Sequence, residues 1–237
     1  MSGLPPGSLV IVPTPLGNLG DITRRAVETL AAVDLVACED TRRTLGLLNH
    51  LGLAKPLWSY HAHSPRRRPA QLLDALRSGK RVALVCDAGT PGLSDPGTQL
   101  VQAALAESVP IVSLPGACAA VTALVASGLP TDRFFFIGFL PRRPARARRQ
   151  LAAAGALDAT VVIYESPYRT RETVEHIRDV VGPRTPVVVA RELTKIHEEF
   201  VRGTAADVAA ALQERELKGE VVILFHAAVE ESETSDE

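Results

Sequence analysis

Aromatic residues are scarce in this chain: six phenylalanines, three tyrosines and one tryptophan among 237 residues. A core without rings must come from Ala, Val and Leu, which are abundant here. Cysteine occurs three times and methionine once. Cys38, Cys86 and Cys118 form no CxxC pair, and each sits in or just after an apolar stretch. They read as small buried thiols in a reducing compartment, not as a disulfide framework, and no metal site is expected. No apolar run approaches the roughly 18 residues of a membrane span. The opening MSGLPPGSLVIVPTP lacks the basic region and cleavage site of a secretory leader. A cytoplasmic location is therefore expected. GxGxxG after a strand, GxxxxGK[ST] and GxSxG are all missing. These absences argue against a pyrophosphate on a glycine loop and against a nucleophile elbow.

What is present is ordinary globular composition, 46% hydrophobic and 22% charged. The net charge of −1 hides an asymmetry. Residues 230–237, EESETSDE, carry five carboxylates and no base, and read as a disordered acidic tail. Two basic runs stand out: Arg66, Arg67 and Arg68, then Arg142, Arg143, Arg146, Arg148 and Arg149 within PRRPARARR. Such clusters suit phosphate, and equally suit solvated helix starts.

Apolar runs alternate with helical patterns along the chain. Strands are expected over 9–12, 35–38, 82–86, 111–114, 134–137, 160–164, 187–190 and 220–225, with an edge strand over 198–201. Helices are expected over 21–33, 41–51, 69–78, 97–106, 117–126, 146–153, 169–181 and 205–213. Asp21 reads as an N-cap, and Asp95 followed by Pro96 as another. The alternation predicts an α/β protein with two α/β domains and largely parallel or mixed sheets. GLPTD at 128–132 is the linker candidate, giving domains 1–128 and 129–229.

In open α/β sheets ligands bind beyond the carboxyl ends of the strands. Six post-strand loops are rich in Gly, Pro, Thr and charge: VPTPLGNLGDIT (12–23), CEDTRR (38–43), CDAGTPGLSDPG (86–97), LPGACAA (114–120), YESPYR (164–169) and ARELTK (190–195). Together with GLPTDRFFFIGFLP, HEEF and KGEVVIL, they give the chain its resemblance. It resembles the tetrapyrrole methylase superfamily, the class III S-adenosylmethionine-dependent methyltransferases. Within that superfamily it is similar to the branch that methylates the 2′-oxygen of a cytidine in 16S ribosomal RNA. The likeness runs from Val12 to about Leu224 and departs from the branch at Gly92-Leu93, Ala117, Tyr168 and the 60–64 stretch.

The resemblance implies the tetrapyrrole methylase fold, with S-adenosylmethionine folded into a cleft between two α/β domains. It also implies a homodimer and 16S rRNA in the small ribosomal subunit as partner, with no membrane involved. By resemblance the cofactor meets Pro13, Asp87, Ala88, Gly89, Thr90, Cys118, Ala119, Tyr164, Glu165, Ser166, Glu220 and Val221. A carboxylate and carbonyls at 87–90 suit the cofactor's ammonium and sulfonium. Pro13 reads equally well as a plain strand terminator.

Transfer to a ribose hydroxyl needs alignment and benefits from a base. Glu39, Asp40 and Glu192 are candidates for the base. Arg42, Arg191 and Lys195 are candidates to hold phosphate or polarise oxygen. The same residues read equally well as an ion-pair network. Arg66, Arg67, Arg68, Arg142, Arg143, Arg146, Arg148 and Arg149 are the candidate RNA rim, with His61 and His63 as weaker ones. The rival functions are methylation of a small porphyrinoid and a module that binds without turnover.

Overall fold

The computed structural model describes residues 3–61, 67–95 and 97–227. The acidic tail, Arg66, His63 and Pro96 lie outside the described residues. The chain divides into two compact units, Met1–Cys118 and Ala119–Glu237. The division falls ahead of the helix at Ala119–Ser127 rather than behind it at 128, because that helix packs on the strands of the second unit.

The first unit holds five strands, β1 (Leu9–Ile11), β2 (Leu35–Cys38), β3 (Leu57–Ser59), β4 (Val82–Leu84) and β5 (Ile111–Ser113). Its helices are α1 (Arg24–Ala32), α2 (Thr41–His50), α3 (Arg67–Arg77) and α4 (Thr98–Ala106). All strand pairs are parallel, in the order β3-β2-β4-β1-β5. Alternate side chains of a strand face opposite ways. Leu9, Leu35, Ala37, Val82 and Leu84 therefore pack on α3 and α4, whereas Val10, Val36, Cys38 and Ala83 pack on α1 and α2.

Two helix starts differ from expectation. The Asn18 side chain accepts from Gly20 N–H and opens a short 3₁₀ turn, Leu19–Asp21. Asp21 is thus spent inside that turn, and the Thr23 hydroxyl caps α1 by accepting from Ala26 N–H. Asp95 does not cap α4. Gly97 holds that position at φ 155° without a side-chain bond, and Asp95 is turned toward the Cys86 thiol. Strand β3 was not expected. It is three residues long and half-buried, so it carries no clear alternation.

The second unit holds α5 (Ala119–Ser127), β6 (Phe134–Phe139), α6 (Pro144–Gly155), β7 (Thr160–Glu165), α7 (Thr170–Val180), β8 (Pro186–Arg191), β9 (Glu199–Thr204), α8 (Ala205–Ala211) and β10 (Val221–His226). The strand order is β6-β7-β10-β8-β9. Only β6 and β7 run parallel; the other three pairs are antiparallel, which makes the sheet mixed. Strand β9 is the expected edge strand. Val161, Ile163, Val187, Val189, Ile223 and Phe225 face α6, α7 and α8, while α5 lies along β7, β8 and β10.

Candidate functional site

In the first sheet β1 and β4 are neighbours, yet their onward helices, α1 and α4, pack on opposite faces. A crevice opens at the carboxyl ends where such connections diverge. Residues 87–90 sit there and are tied to three other loops. Thr14 N–H donates to the Gly89 carbonyl and Gly89 N–H to the Thr14 carbonyl, each at 2.9 Å. The Thr90 hydroxyl donates to the Ala117 carbonyl at 2.8 Å. Asp87 accepts from Asp40 N–H at 3.1 Å and lies 3.5 Å from the Arg43 guanidinium. Gly116 lies against Pro13, where a Cβ would stand 2.6 Å from the proline Cβ. Thus Pro13, Asp87, Ala88, Gly89 and Thr90, expected together, do meet, and Cys118 ends the neighbouring loop.

The charges of this crevice are unbalanced. Burial pushes the Glu39 carboxyl up, the Asp87 and Asp95 charges push it further, and Arg43 opposes them. Asp40 behaves differently. It caps α2 by accepting from Arg42 N–H at 2.8 Å, and the Arg42 guanidinium grips it at 3.1 and 2.6 Å. That grip holds Asp40 well below the usual carboxylate range. A carboxyl held ionised is a poor proton acceptor at neutral pH, so of the two acids in this loop Glu39 is the better base. Arg42, spent on the cap, extends into solvent. Arg43, which the CEDTRR motif did not single out, is the arginine that reaches the cluster. The Cys86 thiol is pushed up by burial and then by Asp95, and it contacts the Ala88 and Gly89 carbonyls at 3.3 Å. It is a packing group, not a nucleophile.

The second unit gathers its own candidates at one sheet end. Register pairs Val221 with both Glu165 and Arg191, so the exits of β7 and β8 flank the start of β10. Tyr164 accepts from Ala120 N–H at 3.1 Å and packs edge-on against Phe136. Glu165 points inward. Its side chain is fully buried, and it accepts from Ser166 N–H and the Thr173 hydroxyl, both at 2.8 Å. Only its backbone is left to face a ligand.

After β8 the chain turns sharply, with Glu192 at φ 53° and Thr194 at φ 66°. Such angles cost about 1 kcal/mol or more for a residue with a Cβ. Local bonds hold the turn. Glu192 accepts from Lys195 Nζ at 2.8 Å and from Glu220 N–H at 2.9 Å, and Lys195 also reaches the Glu220 carboxylate at 3.1 Å. Burial would raise Glu192, but Lys195 and the Glu220 amide hold it below its ordinary value. Burial would lower Lys195, but Glu192 and Glu220 hold it above. Both are charged at neutral pH and, with Glu220, form an ion-pair network. Arg191 bonds Glu199 at 3.3 Å and the Lys218 carbonyl at 3.1 Å.

Gly219 completes the turn. At φ 89°, a Cβ there would fall inside the Glu192 carboxylate. Gly219→Ala is therefore expected to destabilise the protein by about 2 kcal/mol. The midpoint of urea unfolding checks this; an unchanged midpoint would show that Glu192 swings away freely.

Of the arginines, Arg142, Arg143, Arg146 and Arg149 are exposed. Arg148 is paired with Asp179 at 3.2 Å. Arg67 is exposed, and Arg68 stacks over Trp58 at 5.5 Å.

Residues 8–209 match the family described as Tetrapyrrole (Corrin/Porphyrin) Methylases, and the chain belongs to that family. Solved structures share its fold. One is a cobalamin biosynthetic enzyme, cobalt precorrin-4 methyltransferase, at TM-score 0.73 and 21% identity, covering 94% of this chain and 97% of that one. Another is uroporphyrin-III C-methyl transferase from Thermus thermophilus complexed with S-adenyl homocysteine, at TM-score 0.65 and 19% identity, covering 92% and 97%. Within the family the chain falls in the branch named ribosomal RNA small subunit methyltransferase I. The relative of that name from Halalkalibacterium halodurans is 45% identical over 230 residues, 97% of this chain and 79% of the relative. The one from Escherichia coli O157:H7 is 45% identical over 234 residues, 97% of this chain and 82% of the relative.

Proposed function

We propose that this chain transfers the methyl group of S-adenosylmethionine to the ribose 2′-hydroxyl of a cytidine in 16S rRNA, acting on the small ribosomal subunit. The relatives near 45% identity over nearly the whole chain carry the RNA part of the reading. The crevice of the first unit supports the cofactor. Glu39, Asp87 and Asp95 gather here with Arg43 opposing them, while Asp40 is matched by Arg42, so these four carboxylates outnumber the two arginines. A ligand with an ammonium and a sulfonium relieves that imbalance, and the backbone at 87–90 offers it close approach.

When bound, the cofactor supplies an electrophilic methyl carbon on a cationic sulfur. The chain's own part is to align the 2′-oxygen behind that carbon and to take up the hydroxyl proton as the methyl group leaves the sulfur. Glu39 is the acceptor of that proton in this reading: its carboxyl is raised toward neutrality and lies beside Asp87. Positioning of the ribose then dominates the rate. A cytoplasmic homodimer completes the proposal.

The test is methyl transfer from labelled S-adenosylmethionine to small subunits lacking the modification, followed by nucleoside analysis. Labelled 2′-O-methylcytidine is expected. Label on a porphyrinogen and none on RNA would overturn the reading.

A further inference from the structure

Tyr168 lies in the turn after β7 with 85% of its surface exposed, unusual for a large amphipathic ring. The turn that carries it is rigid. Ser166 N–H is held by the buried Glu165 carboxylate at 2.8 Å. The Ser166 carbonyl accepts from Arg169 N–H at 3.0 Å and from the Thr170 hydroxyl at 2.9 Å. The ring is thus held out in water by a braced backbone, not by a loose loop.

Arg169, the next residue, reaches the exit of β6. It donates to the Leu140 carbonyl at 3.2 Å and to the Pro141 carbonyl at 3.0 Å. Strands β6 and β7 are parallel, with Phe139 opposite Tyr164, so their exits lie side by side. The residues directly after that tether are Arg142 and Arg143, both exposed. Their neighbour Arg148 is consumed by Asp179, whereas Arg142 and Arg143 enter no ion pair among the described residues. One sheet end therefore presents an exposed ring on a braced backbone, near two arginines that enter no ion pair among the described residues.

An aromatic face next to unneutralised arginines is the combination that grips single-stranded nucleic acid, the ring covering a base and the cations its phosphates. We propose that Tyr168 is a stacking platform for an unpaired base of the RNA substrate, with Arg142 and Arg143 holding the adjoining phosphates. The proposal rests on the RNA reading above and adds the residue that positions the substrate strand.

The experiment measures initial rates of methyl transfer against small-subunit concentration for the wild type, Tyr168→Ala and Tyr168→Phe, with S-adenosylhomocysteine affinity measured in parallel. Tyr168→Ala is expected to raise KM about tenfold, with kcat and S-adenosylhomocysteine affinity nearly unchanged. Tyr168→Phe, which keeps the ring, is expected to restore KM. Replacing Arg142 and Arg143 together by alanine is expected to flatten the salt dependence of KM. A wild-type KM in Tyr168→Ala overturns the proposal, as does failure of phenylalanine to rescue, which would assign the hydroxyl instead. A wild-type enzyme that labels no RNA overturns the RNA reading first and this inference with it. That arm keeps the two failures distinct.

Discussion

Asp87→Asn is expected to weaken S-adenosylmethionine binding by about tenfold to a hundredfold while barely moving the unfolding midpoint. Asparagine keeps the side-chain oxygen that accepts Asp40 N–H, so the loop stays tied. Within the protein the substitution breaks the 3.5 Å ion pair with Arg43, a largely exposed arginine, and such pairs contribute about 0–1 kcal/mol. What disappears is the negative charge offered to a cationic ligand. Acid pH tests the same electrostatics. The Glu39 carboxyl is raised by burial, then by Asp87 and Asp95. It is ionised above its raised value and neutral below it, so affinity for a cation is present on the alkaline side and falls as pH drops through that value. Asp87→Asn removes one cause of the rise, so the acid limb of binding moves to lower pH. Calorimetric titration across pH reads both effects. Wild-type affinity in the variant would leave Asp87 a loop anchor and nothing more.

Gly116→Ala is expected to cost about 2–3 kcal/mol of stability, a fall in melting temperature of roughly 5–10 °C, and cofactor affinity with it. The new methyl would stand 2.6 and 2.9 Å from two ring carbons of Pro13. A proline ring has no rotamer in which to retreat, and Pro13 is buried at the exit of β1. The backbone must move instead. The strand exits on either side are held by Val12 N–H on the Leu84 carbonyl at 2.9 Å and Leu114 N–H on the Ile11 carbonyl at 3.0 Å. The displacement therefore passes to Ala117, the acceptor of the Thr90 hydroxyl, and so to the crevice. Thermal unfolding with and without S-adenosylhomocysteine checks it. An unmoved midpoint would show that the β5 loop yields without cost.

Much of this was legible in the residues. The buried strands are near-continuous runs of Val, Leu, Ala and Ile, and a parallel sheet covered on both faces demands such runs. The loops at their ends stood out by contrast. Other features depended on partners distant in sequence. Nothing local says that β10 runs against both β7 and β8, because antiparallel pairing is settled by the neighbours. CEDTRR offers two arginines, and only the helical turn begun at Asp40 decides that Arg42 folds back on the cap while Arg43 faces Asp87. Glu165 reads as a site carboxylate from YESPYR, yet its carboxylate is taken up by the Thr173 hydroxyl in the first turn of α7. Asp95 before Pro96 looked like a helix start, but the buried Cys86 thiol claimed it.

Strand β10 lies at the centre of its sheet, bonded to β7 on one side and β8 on the other, and is the last of the described strands. On a ribosome the chain emerges in order, N-terminal segments first. Until residue 226 is free, β6 with β7 and β8 with β9 exist only as two separate ribbons, and a two-stranded ribbon is marginal alone. The second unit therefore closes late and all at once, as a keystone closes an arch, while the parallel sheet of the first unit is complete once residue 113 has emerged. A nascent chain halted before residue 221 carries a finished first half and a second half with Ile163 and Val189 still in water.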